Sequence, residues 1–356
     1  MPFALSRLLA SLSLLLSLLA LTLLAFTQLW LPIIAQSSIA HETTTLFSFC
    51  PSGATPKEYK FFPWEGVNHQ VCTLTQFFQR ALSAPHGRPT GLSLASTLLP
   101  SLLPIYLESS RPHTILPLRS PLPWLFLFQN LGMGLLVPLY YACLLLSPVP
   151  RAPVPRRKVE GVAVGLLLGY VLPTVAMFNS DDHRVFAAWQ FFPVYVSLFQ
   201  GIYSLLRPAK SGPADGTSLI RTLYIISILT SSLAHLYILY TSPPRPLSLP
   251  TALTSFTQIW LPQPLPSHLL QPQHLQTTLT NFFKWDLVFI AGTTGLAGVI
   301  ALSQAGGRRA REVLLSPGRW LAIPVFGGLL GPGAVVGDVW LLREEALAEG
   351  REGKVE

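Results

Sequence analysis

Long uninterrupted runs of apolar residues dominate the chain. A helix needs about 20 apolar residues to cross the roughly 30 Å hydrocarbon core of a bilayer. Runs that predict transmembrane helices lie at 8–31, 124–146, 161–178, 185–206, 219–240, 282–302 and 320–341. A further run, 92–107, is shorter and is interrupted by Pro100 and Pro104, which favours a re-entrant or interfacial helix. The pattern therefore predicts an all-α integral membrane protein, a bundle of about seven transmembrane helices.

Cationic residues divide the connecting segments into two sets. Loops 147–160, 207–218 and 303–319 are rich in arginine and lysine, whereas 179–184, 241–281 and the tail after 341 are poor in them. Because cytosolic loops are enriched in Lys and Arg, we expect the first set to lie in the cytosol. This orientation places the N-terminus in the cytosol and the C-terminus in the lumen, and the endoplasmic reticulum is the expected membrane.

A single membrane domain is expected over residues 1–356. Its parts are an anchor helix (1–32), a lumenal segment (33–123), a six-helix core (124–341) and a tail (342–356). The first apolar run exceeds the 7–15 residues of a signal peptide, which favours a retained anchor, although Ser38–Ala40 leaves a cleaved signal open. Cys50 and Cys72 fall in the lumenal segment, where they form either a disulfide or two free thiols.

Composition excludes an ordinary soluble enzyme. Charged residues make up 11% of the chain, against about 25% in soluble domains, and the mean hydropathy is +0.47. The net charge of +8 is accounted for by the cationic loops, so it does not indicate a nucleic-acid partner. Neither metal-ligand spacing nor a glycine-rich phosphate motif occurs, so no metal or cofactor is expected.

Polar residues, which are costly inside a bilayer, recur near the lumenal ends of several predicted spans. Their shared depth predicts one aromatic-lined cavity that opens toward the lumen. The candidate binding residues are Trp189, Gln190, Gln129, His235, Trp285 and Arg111, and the candidate acids, in order of preference, are Asp286, Glu108, Asp181 and Asp182. Each has a structural alternative: span-end aromatics anchor helices at the interface, and Glu108 and Arg111 have the spacing of an ordinary surface pair.

Such a cavity suits acid-initiated chemistry on a lipophilic substrate. Desolvation disfavours the ionised form of a carboxyl, so a buried acid can donate a proton, and aromatic faces stabilise a developing cation. Cyclisation of a polyene or an epoxide fits these parts, and a sterol-type isomerase fits them as well. Ionising a prenyl diphosphate would require two spaced acidic pairs that bind Mg²⁺, and the stretch 179–183 contains only one such pair. The sequence therefore argues against a prenyltransferase or a diphosphate-ionising cyclase.

Several segments, taken in order, resemble the fungal membrane-bound terpene cyclases of meroterpenoid pathways, the ascofuranone and macrophorin type. The segments are Cys72–Phe78, Glu108–Arg111, Gln129–Gly132 with Pro138–Tyr140, Ala188–Pro193 and Lys284–Asp286. The resemblance implies an enzyme that protonates the epoxide or terminal olefin of a farnesylated aromatic or quinol intermediate and closes rings. By position, it assigns roles to Glu108, Arg111, Gln129, Trp189, Gln190 and Asp286. Asn68, His69 and Gln70 precede Cys72 where the family pattern leads us to expect an aspartate.

Three other classes of protein are alternatives: a receptor, a small-molecule transporter and a structural membrane scaffold with no ligand. The clustering of polar residues on one side of the membrane argues against the scaffold. A seven-span receptor is disfavoured because the predicted orientation, with the N-terminus in the cytosol, is opposite to that of G-protein-coupled receptors. A small-molecule transporter would be expected to show related halves with paired broken helices, and the sequence shows no such symmetry. The expected partners are therefore a lipophilic prenylated small molecule and membrane lipid.

Overall fold

The computed structural model describes residues 16–31, 50, 55–111, 115–149, 152–207, 215–242, 248–263 and 275–352. Within these ranges the chain is helical and has no β-strand, which confirms the all-α prediction. The helices are α1 (Leu16–Leu31), α2 (Glu65–Ser83), α3 (Gly87–Ser109), α4 (Leu116–Arg119), α5 (Pro121–Leu131), α6 (Met133–Leu145), α7 (Arg156–Leu166), α8 (Leu172–Phe178), α9 (His183–Trp189), α10 (Phe192–Leu206), α11 (Thr217–Thr241), α12 (Leu249–Trp260), α13 (Leu275–Ala305), α14 (Gly307–Leu314), α15 (Pro317–Leu330) and α16 (Pro332–Glu352).

Among the described residues, four helical stretches are long and apolar enough to cross a membrane. They are Gly87–Ser109, Arg156–Phe178, Thr217–Thr241 and Gln276–Ala305. Two bent pairs raise the number to six if each pair is one span: α9 with α10, bent by 57°, and α14 with α15, bent by 72°. Four to six candidate spans make this a membrane protein; the predicted count of seven is not confirmed, and residues 8–15 of the first predicted run lie outside the described residues.

Helix α3 corrects the interpretation of 92–107 as a re-entrant or interfacial segment. It is a continuous helix of 23 residues that includes Pro100 and Pro104, about 35 Å long at 1.5 Å per residue. It packs against α11, α13 and α16 in the middle of the bundle, and most of its residues are buried. Neighbouring helices can satisfy the backbone groups that a proline frees, so the two prolines do not end the helix.

The two ends of the bundle carry different groups. One end, here called the disulfide face, holds the Cys50–Cys72 disulfide and the turn 179–184, whose Asp181 pairs with Arg88 at the start of α3. The opposite end, the arginine face, holds the basic segments 152–158 and 307–319. Ser110, at the end of α3, lies there, because its carbonyl accepts a hydrogen bond from Lys158. Of the alternatives left open for the two cysteines, the structure contains the disulfide.

The predicted span 124–146 is a hairpin and does not cross the bundle as one helix. Gly132, at a φ of 90°, separates α5 from α6. The rings of Trp124 and Tyr140 lie 5.5 Å apart, whereas residues 16 positions apart in a straight helix would be separated by about 24 Å. Gln304, at the end of α13, bonds to the carbonyl of Leu145. Both helices of the hairpin therefore extend from the arginine face and meet inside the bundle.

The predicted span 320–341 is broken in the same way. Gly331, at a φ of 88°, separates α15 from α16, and Arg319 pairs with Asp338 at 3.0 Å. Farther along α16, Glu345 pairs with Arg309 at 2.5 Å. The end of α16 therefore lies at the arginine face, on the same side as 307–319. The sequence predicts that the segment after 341 lies on the side opposite to 303–319, whereas the described part of α16 returns to the side of 307–319, because the last apolar run turns back at a glycine.

Helix α2 lies across the disulfide face. The disulfide anchors it through Cys72, and near its end Gln79 donates a hydrogen bond to the carbonyl of Asp181. Both contacts are at the same face and lie seven residues apart, about 10 Å along the helix, and α2 also packs against α3, α9 and α13. The helix therefore covers the end of the bundle, and one of its sides faces inward.

The arrangement of the last hairpin is testable by cysteine labelling in sealed microsomes. In a Cys143→Ser background, Arg156→Cys and Gly350→Cys should react alike with a membrane-impermeant maleimide, because both positions lie at the arginine face. Arg184→Cys lies at the exposed turn of the disulfide face. It should react only in permeabilised microsomes if the other two positions react in intact ones, and in intact microsomes if they require permeabilisation. If Gly350→Cys reacts like Arg184→Cys, α16 ends on the other side and the hairpin is wrong.

Candidate active site

A cavity of about 400 Å³ lies beneath α2, between the inner side of that helix and the long helices of the bundle. Seven other helices contribute to it: α1, α3, α5, α6, α8, α9 and α13, together with the first residue of α10. The lining is largely apolar, and its polar side chains are Gln70, Thr73, Gln129, Asn130 and Asp286, with the indoles of Trp30 and Trp189. Among the described lining residues, Asp286 alone is ionisable.

Aromatic rings from different helices meet in the wall of the cavity. The ring centroid of Phe78 lies 4.8 Å from that of Trp189 and 5.3 Å from that of Phe283. Phe77 packs edge-on against Phe282 at 5.2 Å. These distances are typical of favourable aromatic pairs, so α2, α9 and α13 hold one continuous aromatic surface.

Asp286 is held at the tip of the α5–α6 hairpin. Its Oδ1 accepts a hydrogen bond from the backbone amide of Gly134 at 2.7 Å, one of the free N–H groups at the start of α6. A Cβ on Gly134 would lie 2.8 Å from Oδ1, so only glycine allows this approach. Among the described residues, no group donates to Oδ2 and Lys284 makes no ion pair with the carboxyl.

The depth of Asp286 differs from the sequence prediction. The predicted span begins at Phe282, which would place Asp286 at its mouth, whereas α13 begins at Leu275. Asp286 therefore lies about 15 Å along the helix from Gln276, and its side chain is 7% exposed. The acid is near the middle of the bundle, away from water.

A row of amide side chains lies beside the hairpin tip. The Nε2 of Gln129 donates to the Oε1 of Gln190 at 2.5 Å, and Gln190 in turn donates to the carbonyl of Phe186. Gln70 of α2 donates to the Oδ1 of Asn130 at 2.7 Å. These bonds tie α5 to α9 and α2, so three helices have fixed positions around the cavity.

Comparison with known proteins supplies a family. The model of the CtvD domain matches residues 13–348, nearly the whole chain. The chain belongs to the CtvD-domain family. Over 234 residues it is 26% identical to terpene cyclase janA of Penicillium janthinellum, and this match covers 62% of the chain and 62% of that relative's length. No solved structure matches. The two matches confirm the resemblance to fungal membrane-bound terpene cyclases.

The CtvD-domain structure places three of the predicted site residues together. Asp286, Gln129 and Trp189 all line the cavity. Gln190 does not line the cavity itself, but it accepts a hydrogen bond from Gln129, which does. The indole nitrogen of Trp189 donates to the hydroxyl of Thr174, which fixes the ring toward Phe78. Residues far apart in the sequence thus form one site.

Glu108 and Arg111 lie elsewhere, at the arginine face. Arg111 donates to Glu108 at 2.8 Å and to Glu344 at 2.5 and 2.7 Å, and Arg343 contacts both carboxylates. All four side chains are buried. The prediction of Glu108 as an acid and Arg111 as a binding residue assumed that they lay at the same end of the bundle as the turn 179–184; the structure places them at the opposite end and away from the cavity, because α3 crosses the whole bundle.

His235 and Trp285 also lie outside the cavity. The Nε2 of His235 donates to the carbonyl of Gly328 at 3.0 Å, so this histidine holds the tip of the α15–α16 hairpin. The ring of Trp285 stacks on Phe289, and the residue is absent from the cavity lining. Both were predicted to line the cavity only because of their depth in the predicted spans. In the structure, their side chains contact Gly328 and Phe289 and do not line the cavity.

Asp181 and Asp182 occupy the exposed turn of the disulfide face. The side chain of Asp181 is 99% exposed and pairs with Arg88. Asp182 accepts a hydrogen bond from the amide of Arg184 and caps α9. Neither residue lines the cavity, so they have the structural role of turn carboxylates.

The sequence did not identify Trp30, Phe77 and Phe78 as site residues, although all three line the cavity. Phe77 and Phe78 belong to the stretch Cys72–Phe78 that carried the family resemblance. Its inward side could have been found from the spacing of residues 70, 73, 74, 77 and 78, which share one face of a helix. The spacing does not predict, however, that α2 lies over the end of the bundle.

The close approach of Gly134 to Asp286 gives the first test of the site. Gly134→Ala should lower stability by about 1–3 kcal/mol through overpacking, because the added Cβ would meet Oδ1 and the Cβ of Phe289, each at 2.8 Å. Gly201→Ala is the control, since nothing lies within 4 Å of a Cβ there. Thermal unfolding of the detergent-solubilised proteins measures both. Equal melting temperatures would show that Asp286 does not contact the hairpin.

The buried charge cluster gives the second test. Glu108→Gln should destabilise the protein by about 3–5 kcal/mol, because it leaves two buried guanidinium groups with one carboxylate. Glu312→Gln, at an exposed glutamate, is the matched control and should have little effect. The amount of folded protein in membranes and its melting temperature are the measurements. A stable Glu108→Gln protein that has lost turnover would instead indicate a catalytic role.

Proposed function

We propose that this protein is a membrane-bound terpene cyclase that protonates a prenylated substrate and closes its rings. The observation that carries the proposal is one buried carboxyl, Asp286, the only one among the described residues that line a cavity with an aromatic wall. The similarity to terpene cyclase janA supports the same reaction class. The substrate we propose is a farnesylated aromatic or quinol compound, or its terminal epoxide.

The dimensions and charge of the cavity support a lipophilic, uncharged substrate. A volume of about 400 Å³ is in the range of small-molecule sites, about 300–1,000 Å³. No lysine or arginine is found among the described lining residues, so a diphosphate group would have no cation to pair with. The prenyl chain would bury its apolar surface against the phenylalanines.

Asp286 is the proposed general acid. The hydrogen bond from Gly134 holds Oδ1 in place, so the carboxyl keeps one orientation while Oδ2 remains available for the transferred proton. Protonation of an epoxide oxygen breaks a C–O bond, and protonation of an olefin breaks a π bond; either leaves a carbocation that the next double bond attacks. The last cation loses a proton, which returns to the Asp286 carboxylate and restores the acid, so the overall reaction is an isomerisation with no co-reactant.

The aromatic wall has two proposed roles in this reaction. The faces of Trp189, Phe78 and Phe283 offer negative quadrupole density to the developing cation. The same rings exclude water, which would otherwise trap the cation before ring closure. Because neighbouring rings hold one another at 4.8–5.3 Å, the wall is fixed before the substrate binds.

We further propose the endoplasmic reticulum membrane as the location, with the arginine face in the cytosol. The proposal rests on the enrichment of cytosolic segments in Lys and Arg. Both the described end of α16 and the segment 307–319 lie at that face, so both would lie on the cytosolic side. The disulfide at the other face would then lie in the oxidising lumen.

The role of Asp286 is testable with two aspartate-to-asparagine variants. Asp286→Asn retains an oxygen that can accept the Gly134 hydrogen bond but removes the acid, so product formation should fall by about 10²–10⁴-fold. Asp181→Asn makes the same chemical change at an exposed position and should keep full activity. Membranes from a heterologous host are supplied with a farnesylated phenol or its epoxide, and products are measured at matched protein levels.

Two results would argue against the proposal. Full activity of Asp286→Asn would show that Asp286 is not the general acid. Loss of product formation by Asp181→Asn would indicate that the acid lies at the disulfide face. Failure of the wild-type protein to convert any prenylated phenol or epoxide would contradict the proposed activity itself.

A further inference from the structure

The inner side of α2 changes from polar to aromatic along its length. Gln70, Thr73, Leu74, Phe77 and Phe78 line the cavity, and their spacing places them on one face of the helix. The two polar residues come first and the two phenylalanines last, over about 12 Å of helix. A ligand lying along this side would therefore meet hydrogen-bonding groups at one end and rings at the other.

Thr73 carries a buried hydroxyl without a partner. The residue is 8% exposed, and its Oγ1 has no hydrogen bond in the described part of the chain. Helical threonines usually satisfy the hydroxyl with a carbonyl of the preceding turn. An unsatisfied buried polar group costs about 1–3 kcal/mol, so a ligand group that reached this hydroxyl at the cavity wall and bonded to it would be stabilised.

Two amide oxygens beside Thr73 are also available. The Nε2 of Gln70 is bonded to Asn130, and the Nε2 of Gln129 is bonded to Gln190. Within the described residues, neither Oε1 accepts a hydrogen bond, and both glutamines line the cavity. Two acceptors and one hydroxyl match a ligand that donates a hydrogen bond, which is a property of a hydroxyl group. They do not match a charged group, since the described lining contains no cation.

We propose that Thr73, assisted by Gln70 and Gln129, forms a subsite for the hydroxyl-bearing head of the substrate. This inference rests on the proposed cyclase function and specifies which end of the substrate faces α2. The head donates to an amide oxygen and accepts from the Thr73 hydroxyl, while the prenyl chain passes over Phe77 and Phe78. Folding of the chain, which ring closure requires, then brings its far end back to Asp286 at the hairpin tip.

Thr73→Val tests the subsite because it removes the hydroxyl and keeps the shape. Thr75→Val is the matched control: Thr75 is on the same helix, is fully buried and also has an unpartnered hydroxyl, but it does not line the cavity. The substrates are a farnesylated phenol and its deoxy counterpart, which lacks the hydroxyl. Full-length protein in membranes is used throughout.

We expect the wild-type protein to prefer the phenol over the deoxy compound in kcat/KM, through a higher KM for the latter. Thr73→Val should reduce that preference by about 3- to 10-fold, the contribution of one hydrogen bond, and Thr75→Val should retain it. Without ligand, Thr73→Val should melt at the same or a higher temperature than the wild type, because it loses an unsatisfied polar group. Thr73→Ala serves as the second variant if the valine protein does not accumulate.

Binding of chain-saturated analogues separates this inference from the proposed activity. The saturated phenol should raise the melting temperature of the wild type more than its deoxy counterpart does, and Thr73→Val should remove the difference. Cyclisation by the wild type with an unchanged preference in Thr73→Val, or an equal loss of preference in Thr75→Val, would overturn the subsite and leave the cyclase proposal standing. Discrimination in binding without any cyclisation would support the subsite and contradict the cyclase proposal.

Discussion

The hydrogen bond from the Gly134 amide to Asp286 links the fold of this protein to its site. An interrupted helix inside an apolar bundle leaves backbone groups that need partners, since no water is there to satisfy them. Asp286 of α13 accepts from the start of α6, and His235 of α11 donates to the end of α15. Each hairpin tip thus depends on one polar side chain from a neighbouring helix, and at one of them that side chain is a carboxyl that faces the cavity.

The remaining features of the site follow from the position of the α5–α6 tip. Because the hairpin ends inside the bundle, its amides at 129 and 130 reach Gln190 and Gln70, and the space beyond the tip becomes the cavity. Helix α2, anchored by the disulfide, covers this space with aromatic rings. The charge cluster around Glu108 contributes at the other end, where four buried, mutually paired side chains join α3 to α16.

The spans at 161–178, 219–240 and 282–302 could be predicted from the sequence because each is a run of apolar residues in one straight helix or helical stretch. The hairpins could not, since an apolar run has the same composition whether it crosses a bilayer or turns back at a glycine. The prolines of α3 were misleading because the neighbours that tolerate them are distant in sequence. Asp286, Gln129 and Trp189 were found from depth and polarity, whereas Phe77 and Phe78 required the placement of α2.

An experimental structure of the full-length protein with a bound chain-saturated farnesyl phenol is the most direct test of the central claim. The analogue should lie in the cavity beneath α2, with the carbon that corresponds to the reacting end about 3–3.5 Å from Oδ2 of Asp286, a distance suited to reaction. Oδ1 should remain bonded to the amide of Gly134. A ligand bound elsewhere, for example against the α15–α16 hairpin, or a carboxyl turned away from both the ligand and Gly134, would contradict it.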